Sequence, residues 1–159
     1  MTEHRRRIAA YAICLRDDQV LLTRFVAPDG IDRHWTLPGG GVEHAEDPYY
    51  AVVREVEEET GYQVEVERLL GVDSRSWPVA SRVSGGAELH TVGVYYRARI
   101  VGGELRHEVD GSTDLAAWMS VTDVPGLVRA GLVDVGLELD RARPRTGHVD
   151  PVSVGGRIR

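Results

Sequence analysis

Three consecutive glycines, Gly39 to Gly41, constrain the fold of this chain more than any other feature of its sequence. Glycine loses more backbone entropy than any other residue in a regular element, so a run of three predicts a loop where the backbone must approach something closely. A helix is predicted to begin soon afterwards, because Asp47-Pro48 combines a favoured N-cap with proline at the first helical position. It is predicted to end near Thr60, since Gly61 readily adopts the left-handed terminating conformation.

Strand-like segments lie on both sides of this loop and helix. Residues 8–15 and 19–25 are apolar and β-branched and are separated by Asp17-Asp18, which predicts a hairpin. Mixed strands around a central helix favour an α+β or α/β sandwich. The other predicted elements are strands at 35–37, 63–73, 89–101 and 115–121, a polar loop over 74–88, and one or two helical turns or a short helix within 123–139.

Length and charge predict a single acidic domain. A chain of 159 residues suits one domain, placed here at residues 1–140. Residues 141–159 contain few core residues and are expected either to be disordered or to dock on a neighbour. The net charge is −6, and this tail carries five arginines and one aspartate, a balance of +4, so residues 1–140 carry −10. Such a body does not attract nucleic acid polymers, and it requires a metal cation to bind a polyanionic substrate.

Cysteine usage and hydropathy predict a cytoplasmic protein. Cys14 is the single cysteine, so an intrachain disulfide and a cysteine-based zinc cluster are excluded. Arg5-Arg6-Arg7 before an apolar stretch superficially resembles a signal peptide, but the stretch is short and Arg16-Asp17-Asp18 follows at once. No apolar run reaches the length of about 20 residues that a membrane-spanning helix needs. We therefore expect no membrane partner.

Three glutamates fall on one side of the predicted helix. At roughly 100° per residue, Glu55, Glu58 and Glu59 lie within an arc of roughly 100°. Their charges repel one another and those near the helix end oppose its dipole, whereas a hard divalent cation would reverse both effects. A solvated acidic face would show the same spacing, so the spacing alone leaves both interpretations open. The stripe expected to face the core consists of Tyr49, Val52, Val53, Val56 and Thr60.

The surroundings of these glutamates resemble a known motif. Gly40, five residues, Glu46, seven residues and then residues 54–62 (REVEEETGY) match the Nudix box, G-x5-E-x7-R-E-U-x-E-E-x-G-U, in which U is aliphatic. Every fixed position agrees, and the one departure is Tyr62 at an aliphatic position. The resemblance implies the Nudix fold, an α/β/α sandwich in which the loop and helix of the box pack on a mixed β-sheet.

The resemblance also implies roles for the residues of the box. The expected cation is Mg²⁺, with Mn²⁺ as a possible substitute. Arg54 is expected to pair with Glu46 and to orient a catalytic glutamate, so that both support the site without binding metal. The implied reaction is attack of water on a phosphorus of a nucleoside diphosphate linked to another moiety, such as ADP-ribose, another nucleoside diphosphate sugar or a (d)NTP. The implied metal ligands are the carboxylates of Glu55, Glu58 and Glu59 and the backbone carbonyl of Gly40.

The general base and the substrate contacts have more than one candidate. Glu55 is our first choice for the base, and members of the family that use an acid from a later loop make Glu108, Asp110 and Asp114 the alternatives. Arg24 could hold a substrate phosphate through its forked donors, or could be a charge at a strand edge. Trp35 could stack on a base, or could belong to the core.

Two other functions share this fold. A nucleotide-sensing Nudix module is one, although such modules generally have a degraded box or an attached DNA-binding domain. A diphosphate isomerase with a catalytic cysteine is the other, although Cys14 precedes the box, where that role does not map. The box does not select the substrate, so selectivity is expected in the segments 26–34 and 74–88, the latter with Trp77 and Pro78. A homodimer is left open.

Overall fold

The computed structural model describes residues 3–77 and 87–151. The helices are α1 (Pro48–Thr60), a 3-10 helix (Val121–Gly126) and α2 (Gly131–Ala142). The strands are β1 (Glu3–Ile13), β2 (Leu15–Arg16), β3 (Gln19–Val26), β4 (Arg33–Thr36), β5 (Gly39–Gly41), β6 (Tyr62–Trp77), β7 (Ala87–Gly103) and β8 (Thr113–Ser120).

These strands form two sheets. The first has the order β5-β1-β7-β6 and is mixed, because β1 and β7 run parallel while the other neighbours are antiparallel. In the second, β3 pairs antiparallel with β2, β4 and β8. The predicted combination of a mixed sheet with helices is confirmed.

The predicted hairpin of residues 8–15 with 19–25 is wrong for most of its length. β1 pairs with β7 and β5 in the first sheet, and only Leu15 and Arg16 pair with β3. Asp17 and Asp18 do form the turn, with φ of 50° and 63°. A type I′ hairpin turn requires positive φ at both central residues, so the predicted turn is present while the strand before it joins the other sheet.

The glycine run is a strand and not the predicted loop. β5 pairs antiparallel with β1, and Gly39 and Gly41 lie opposite Tyr11 and Ala9. The hydrogen bonds of this ladder offset the entropy cost on which the prediction rested. The predicted close approach is present, because a Cβ on Gly39 would overlap the backbone carbonyl oxygen of Ala10.

The ends of the predicted loop over 74–88 are also strand. Residues 74–77 belong to β6 and 87–88 to β7, and Arg75 is paired with Thr91. The polar side chains of these residues gave no indication that the two segments pair with each other across more than ten residues. Residues 78–86, with Pro78, lie outside the described residues.

Helix α1 has the predicted limits. The Asp47 carboxylate accepts a hydrogen bond from the Tyr49 amide at 2.8 Å, and Gly61 follows the helix with φ of 80°. The predicted core stripe is wrong for Tyr49, which is 42% exposed and has its ring edge-on to Tyr96. The buried positions of α1 are Ala51, Val52, Val56, Glu59 and Thr60.

The core has two parts, one on each face of the first sheet. Ala10 and Ala12 of β1 belong to a cluster with Val56 of α1. Tyr11 and Ile13, which alternate with them, belong to a cluster that includes residues of α2. The two helices therefore cover opposite faces of the sheet, in an α/β/α arrangement.

The chain after the predicted boundary at residue 140 continues α2 to Ala142 and then packs on the same domain. The Gly147 carbonyl accepts a hydrogen bond from the Val72 amide at 2.9 Å, and Val149 packs against the core on the α2 side. Residues 152–159 lie outside the described part of the chain. No helix within residues 3–77 and 87–151 is long and apolar enough to span a membrane.

The contact between this segment and β6 predicts a large effect of Gly71→Ala. A Cβ on Gly71 would overlap the Gly147 carbonyl oxygen and would lie 2.7 Å from Leu139 Cδ2. We expect the change to lower the free energy of unfolding by about 1–3 kcal/mol in urea. Gly126→Ala is the control, because a Cβ there meets no described atom within 4 Å. Equal stability of the two variants would show that this packing does not stabilise the fold.

Candidate active site

The three glutamates of the box lie in three different environments. The exposed fraction of the side chain is 51% for Glu58 and 15% for Glu55, and the Glu59 residue is 4% exposed. The helix is rotated so that Glu59 points into the fold and Glu58 points towards solvent. The predicted acidic side of α1 is therefore graded in burial.

Glu59 is a buried carboxylate held by neutral donors. Its Oε2 accepts hydrogen bonds from the Gly39 amide at 3.2 Å and from Thr23 Oγ1 at 3.3 Å. Burial raises the pKa of Glu59 well above its usual range, and the charge of Glu55 raises it further. The two hydrogen bonds act in the opposite direction but do not compensate for the burial. A positive charge beside Glu59 would counteract this shift by favouring the ionised carboxylate.

Glu55 contacts the glycine strand. A Cβ on Gly40 would lie 2.9 Å from the Glu55 carboxyl carbon, so a side chain at position 40 would displace the Glu55 carboxylate from this position. Burial raises the pKa of Glu55, while the charge of Arg54 and its hydrogen bond lower it. The close approach of β5 to the helix thus accounts for the glycine run from which a loop was predicted.

Arg54 connects the carboxylates. Its guanidinium donates two hydrogen bonds of 2.9 Å to Glu46, the forked geometry that arginine and carboxylate favour. The same group lies 3.1 Å from Glu55 Oε1 and 3.3 Å from Glu58 Oε2, and donates to the Gly41 carbonyl at 3.2 Å. The hydrogen bonds from Arg54 hold the pKa of Glu46 at about 2. The pair that the motif implies is present, and its part in catalysis stays a prediction.

The side chains of the site suit a hard divalent cation by their chemistry. The candidate ligands are all carboxylate or carbonyl oxygens, which Mg²⁺ prefers, and the buried Glu59 favours a positive neighbour. Within residues 3–77 and 87–151, no three Asp, Glu, His or Cys side chains converge closely enough to hold a metal ion as they stand. The reason is that Glu58 turns towards Arg54 while Glu59 turns towards β5. Glu58 is half exposed and its contacts are long, so its rotation into the site costs little.

The acids of the later loop do not share one environment. Glu108 accepts hydrogen bonds from the Thr113 amide at 3.1 Å and the Thr113 hydroxyl at 2.6 Å, and its charge raises the pKa of Glu55 and Glu59. Asp110 is exposed, with φ of 59°. Of the three predicted acids, Glu108 is the one whose charge shifts the pKa of the box glutamates.

Asp114 forms an ion pair with Arg24. The Arg24 guanidinium donates to both carboxylate oxygens at 2.9 Å and 2.7 Å, and this pairing lowers the pKa of Asp114. Arg24 is also the cross-strand partner of Trp35, so their side chains share one face of the second sheet, whereas Thr23 with its contact to Glu59 is on the other. The structure therefore does not bring Arg24 or Trp35 together with the glutamates. Trp35 packs half-buried against the core on the α2 side.

Two residues at the site had no local sequence signal. Thr23, next to Arg24 in β3, donates to Glu59. Arg106 donates to the carbonyls of Glu57 and Glu58 at 3.0 Å and 3.2 Å, and its amide donates to the Thr60 carbonyl at 2.8 Å. These contacts satisfy carbonyls that a helix leaves free at its C-terminal end. Both partners are too distant in sequence for any motif to connect them.

Comparison with known proteins agrees with this geometry. The family model for the NUDIX domain matches residues 5–135. The chain belongs to the Nudix family. The NUDIX hydrolase from Nitrosomonas europaea superimposes with a TM-score of 0.72 and 25% identity, over 94% of this chain and 100% of that chain. The MutT NUDIX hydrolase from Burkholderia pseudomallei gives a TM-score of 0.65 and 31% identity, over 85% and 98%. The predicted family and the fold class are confirmed.

Curated relatives match shorter parts of their own length. The putative nudix hydrolase 1 of Caenorhabditis elegans is 34% identical over 118 residues, which are 72% of this chain and 29% of that protein. Diphosphoinositol polyphosphate phosphohydrolase 3-alpha of Homo sapiens is 47% identical over 57 residues, 36% of this chain and 33% of that protein. The matched region thus spans about a third of the length of these relatives.

The raised pKa of Glu59 predicts how stability depends on pH and metal. A carboxyl whose pKa is higher in the folded state binds more protons there, so the metal-free protein loses stability as the pH rises above the usual carboxyl range. Glu59→Gln removes this loss. At pH 7.5 in EDTA we expect the variant to melt about 2–5 °C higher than wild type, with the difference closing near pH 5. Mg²⁺ should raise the melting temperature of wild type and not of Glu59→Gln.

Glu57→Gln is the matched control for this measurement. Glu57 lies on the same helix and the change removes the same charge, but its side chain is exposed. We expect Glu57→Gln to melt like wild type in EDTA and to keep the response to Mg²⁺. A Glu59→Gln variant that melts below wild type in EDTA at pH 7.5 would show that the carboxylate is not destabilising.

Proposed function

We propose that the chain is a divalent-metal-dependent hydrolase that cleaves the diphosphate linkage of a nucleoside diphosphate derivative. The observation that carries the proposal is the buried Glu59 carboxylate beside Glu55, both against a glycine strand within an intact Nudix box. The fold gains no evident stability from this arrangement, whereas a cation with a bound diphosphate would compensate the carboxylate charges. The names of the matched proteins support hydrolysis, and the nucleoside diphosphate class is our inference.

Each residue of the box has a proposed task. Glu55, Glu58 and Glu59 with the Gly40 carbonyl would hold Mg²⁺, or Mn²⁺ in its place. The chemistry that such a cation supplies is neutralisation of phosphate oxygens and activation of water. Arg54, fixed by Glu46, holds the Glu55 carboxylate in place at 3.1 Å. The Glu55 carboxylate takes the proton of the attacking water, the new bond forms at phosphorus, and the bridging oxygen leaves with the departing phosphate.

The alternatives have less support. A sensing module does not need the catalytic carboxylates, and this chain keeps all of them. An isomerase that depends on cysteine would need a reactive thiol. Cys14 is 1% exposed, and burial raises the pKa of its thiol to about 12, so the thiol is neutral and unreactive at physiological pH.

A substrate panel tests the proposal. The purified full chain is incubated with Mg²⁺ and ADP-ribose, other nucleoside diphosphate sugars, canonical and oxidised (d)NTPs, and a diphosphoinositol phosphate. We expect metal-dependent release of a nucleoside monophosphate from at least one nucleotide substrate. Tight nucleotide binding without turnover would favour the sensing module, and turnover of the inositol compound alone would contradict the nucleotide class.

Removing one proposed ligand should abolish most activity without unfolding the chain. Glu58→Gln is expected to lower kcat by about two to four orders of magnitude, the size of metal and base contributions. Glu58 is half exposed, so its melting temperature in EDTA should stay near that of wild type. Glu57→Gln again serves as the control and should retain activity. A Glu58→Gln enzyme within a few-fold of wild type would remove Glu58 from the proposed ligands.

The identity of the base is tested by pH–rate profiles. A carboxylate base must be deprotonated to act, so the rate falls on the acidic side as the base takes up a proton. We expect Glu55→Gln to lose orders of magnitude and to flatten this acidic limb. Glu108→Gln, Asp110→Asn and Asp114→Asn, tested singly, should retain it. A flattened limb in Glu108→Gln, with Glu55→Gln mainly weakening metal binding, would transfer the role to Glu108.

A further inference from the structure

The face of the first sheet that carries α1 extends beyond the helix as an apolar surface. Ile8 lies two residues before Ala10 in β1 and therefore points to the same side as α1. Val92 of β7 lies beside Ile8 in register, and Val94 in the next row of the same face pairs with Val72 of β6. Ile8 is 53% exposed and Val72 is 47% exposed, so the helix leaves this part of the sheet in solvent.

A residue of β6 and two tyrosines in the first turn of α1 enlarge this surface. Leu69 pairs with Tyr96, Tyr49 has its ring edge-on to Tyr96, and Tyr50 has its ring edge-on to Tyr49. Leu69 is 56% exposed and Tyr50 is 66% exposed. We call the surface that runs from Ile8 to Leu69 across the three strands, together with Tyr49 and Tyr50, the open face.

Polar residues bound the open face at both ends. The row that precedes Ile8 consists of Arg6, His90 and Ser76, which pair in register across the three strands. Asp47 lies at the opposite end, near Tyr96: burial raises the pKa of Tyr96, and the charge of Asp47 raises it further. Single exposed apolar residues are ordinary, whereas a contiguous apolar surface with a polar rim is typical of a site of protein association.

The apolar area of the open face is close to what a stable dimer needs. A large side chain exposes roughly 150–200 Å² when it is free, so five such residues that are each about half exposed offer on the order of 450 Å². The five are Ile8, Tyr49, Tyr50, Leu69 and Val72. A standard interface buries about 800 Å² on each partner, and a little over half of that area is non-polar. The open face therefore supplies the apolar share of one partner.

The charges at its two ends make the open face complementary to a copy of itself. Arg6 is exposed and lies six residues before Ala12, the register partner of Tyr96, which is about 20 Å along the strand. A two-fold axis midway, beside Val94, places Arg6 of one copy opposite Asp47 of the other, and symmetry forms the second such pair. The net charge of −6 opposes association only weakly at physiological salt, where the screening length is about 8 Å.

We propose that the open face is the contact surface of a homodimer with two-fold symmetry. The apolar side chains of the two copies pack against each other at its centre, and Arg6 of each copy pairs with Asp47 of the other at its rim. The inference does not rest on the proposed function, because none of these residues has a task in the proposed reaction.

Analytical ultracentrifugation of the full chain, from about 1 to about 200 µM, measures the association. We expect wild type to show a monomer–dimer equilibrium. Val72→Glu and Tyr50→Glu each place an unpaired charge in the contact, and we expect each to weaken the dimer about a hundredfold or more. Ile31→Glu is the matched control and should dimerise like wild type, because Ile31 is 84% exposed and lies between β3 and β4, outside the open face.

A second pair of variants tests the two-fold arrangement. Arg6→Glu replaces both attractive contacts with Asp47 by repulsive ones, so we expect a dimer that is about tenfold weaker or more. Arg5→Glu makes the same change of net charge one position earlier, where the side chain points to the other face of β1. It should leave the dissociation constant close to that of wild type.

Thermal melting at the lowest concentration shows whether each variant is folded. Tyr50 lies on a helix surface, so Tyr50→Glu decides the question if Val72→Glu disturbs its strand. A wild type that stays monomeric over the whole range overturns the proposal, as does a dimer that Tyr50→Glu leaves intact. Loss of the dimer in Ile31→Glu also overturns it, because any added charge would then suffice. Equal dissociation constants for Arg6→Glu and Arg5→Glu overturn the two-fold arrangement.

Discussion

The packing of helix α1 against a strand made only of glycine determines the position of the carboxylates. The Gly39 amide reaches Glu59, and the missing side chain of Gly40 lets the Glu55 carboxylate lie against the backbone. This contact brings Glu59 out of water with only neutral donors around it, which is unfavourable for a charged group. Glu59 is therefore stable in this position as a neutral acid or beside a cation. This preference for a nearby positive charge comes from the fold and does not depend on the substrate.

Arg54 supplies positive charge to the neighbouring carboxylates of Glu55 and Glu58. Its two bonds to Glu46 are short and forked, whereas its contacts to Glu55 and Glu58 range from 3.1 to 3.4 Å. The permanent partner is thus Glu46, and the other two carboxylates are held loosely enough to exchange the guanidinium for another cation. Arg54 would remain anchored during that exchange. An arginine shared in this way limits repulsion between the carboxylates, and it would not compete strongly with the proposed cation.

The sequence predicts the features whose causes are local. Asp47, Pro48 and Gly61 act within one turn of α1, so both ends of the helix were predicted correctly. Pairing between residues far apart in sequence leaves no such pattern. β1 pairs with β7, about eighty residues later, and Arg24 forms an ion pair with Asp114, 90 residues later. Helical periodicity groups the three glutamates on one side but does not give the rotation of the helix against the sheet. It could not show that Glu59 is buried, that Glu58 is exposed, or that Arg106 caps the helix end.

The chemistry and the recognition of substrate depend on different kinds of contact. The glutamates are placed by backbone groups of β5 and by helix packing, so a substitution there changes the position of the carboxylates that we propose for the reaction. Under the proposed function, the box contacts the cation and the anhydride, and residues outside it contact the remainder of the substrate. An intact box therefore does not identify the substrate.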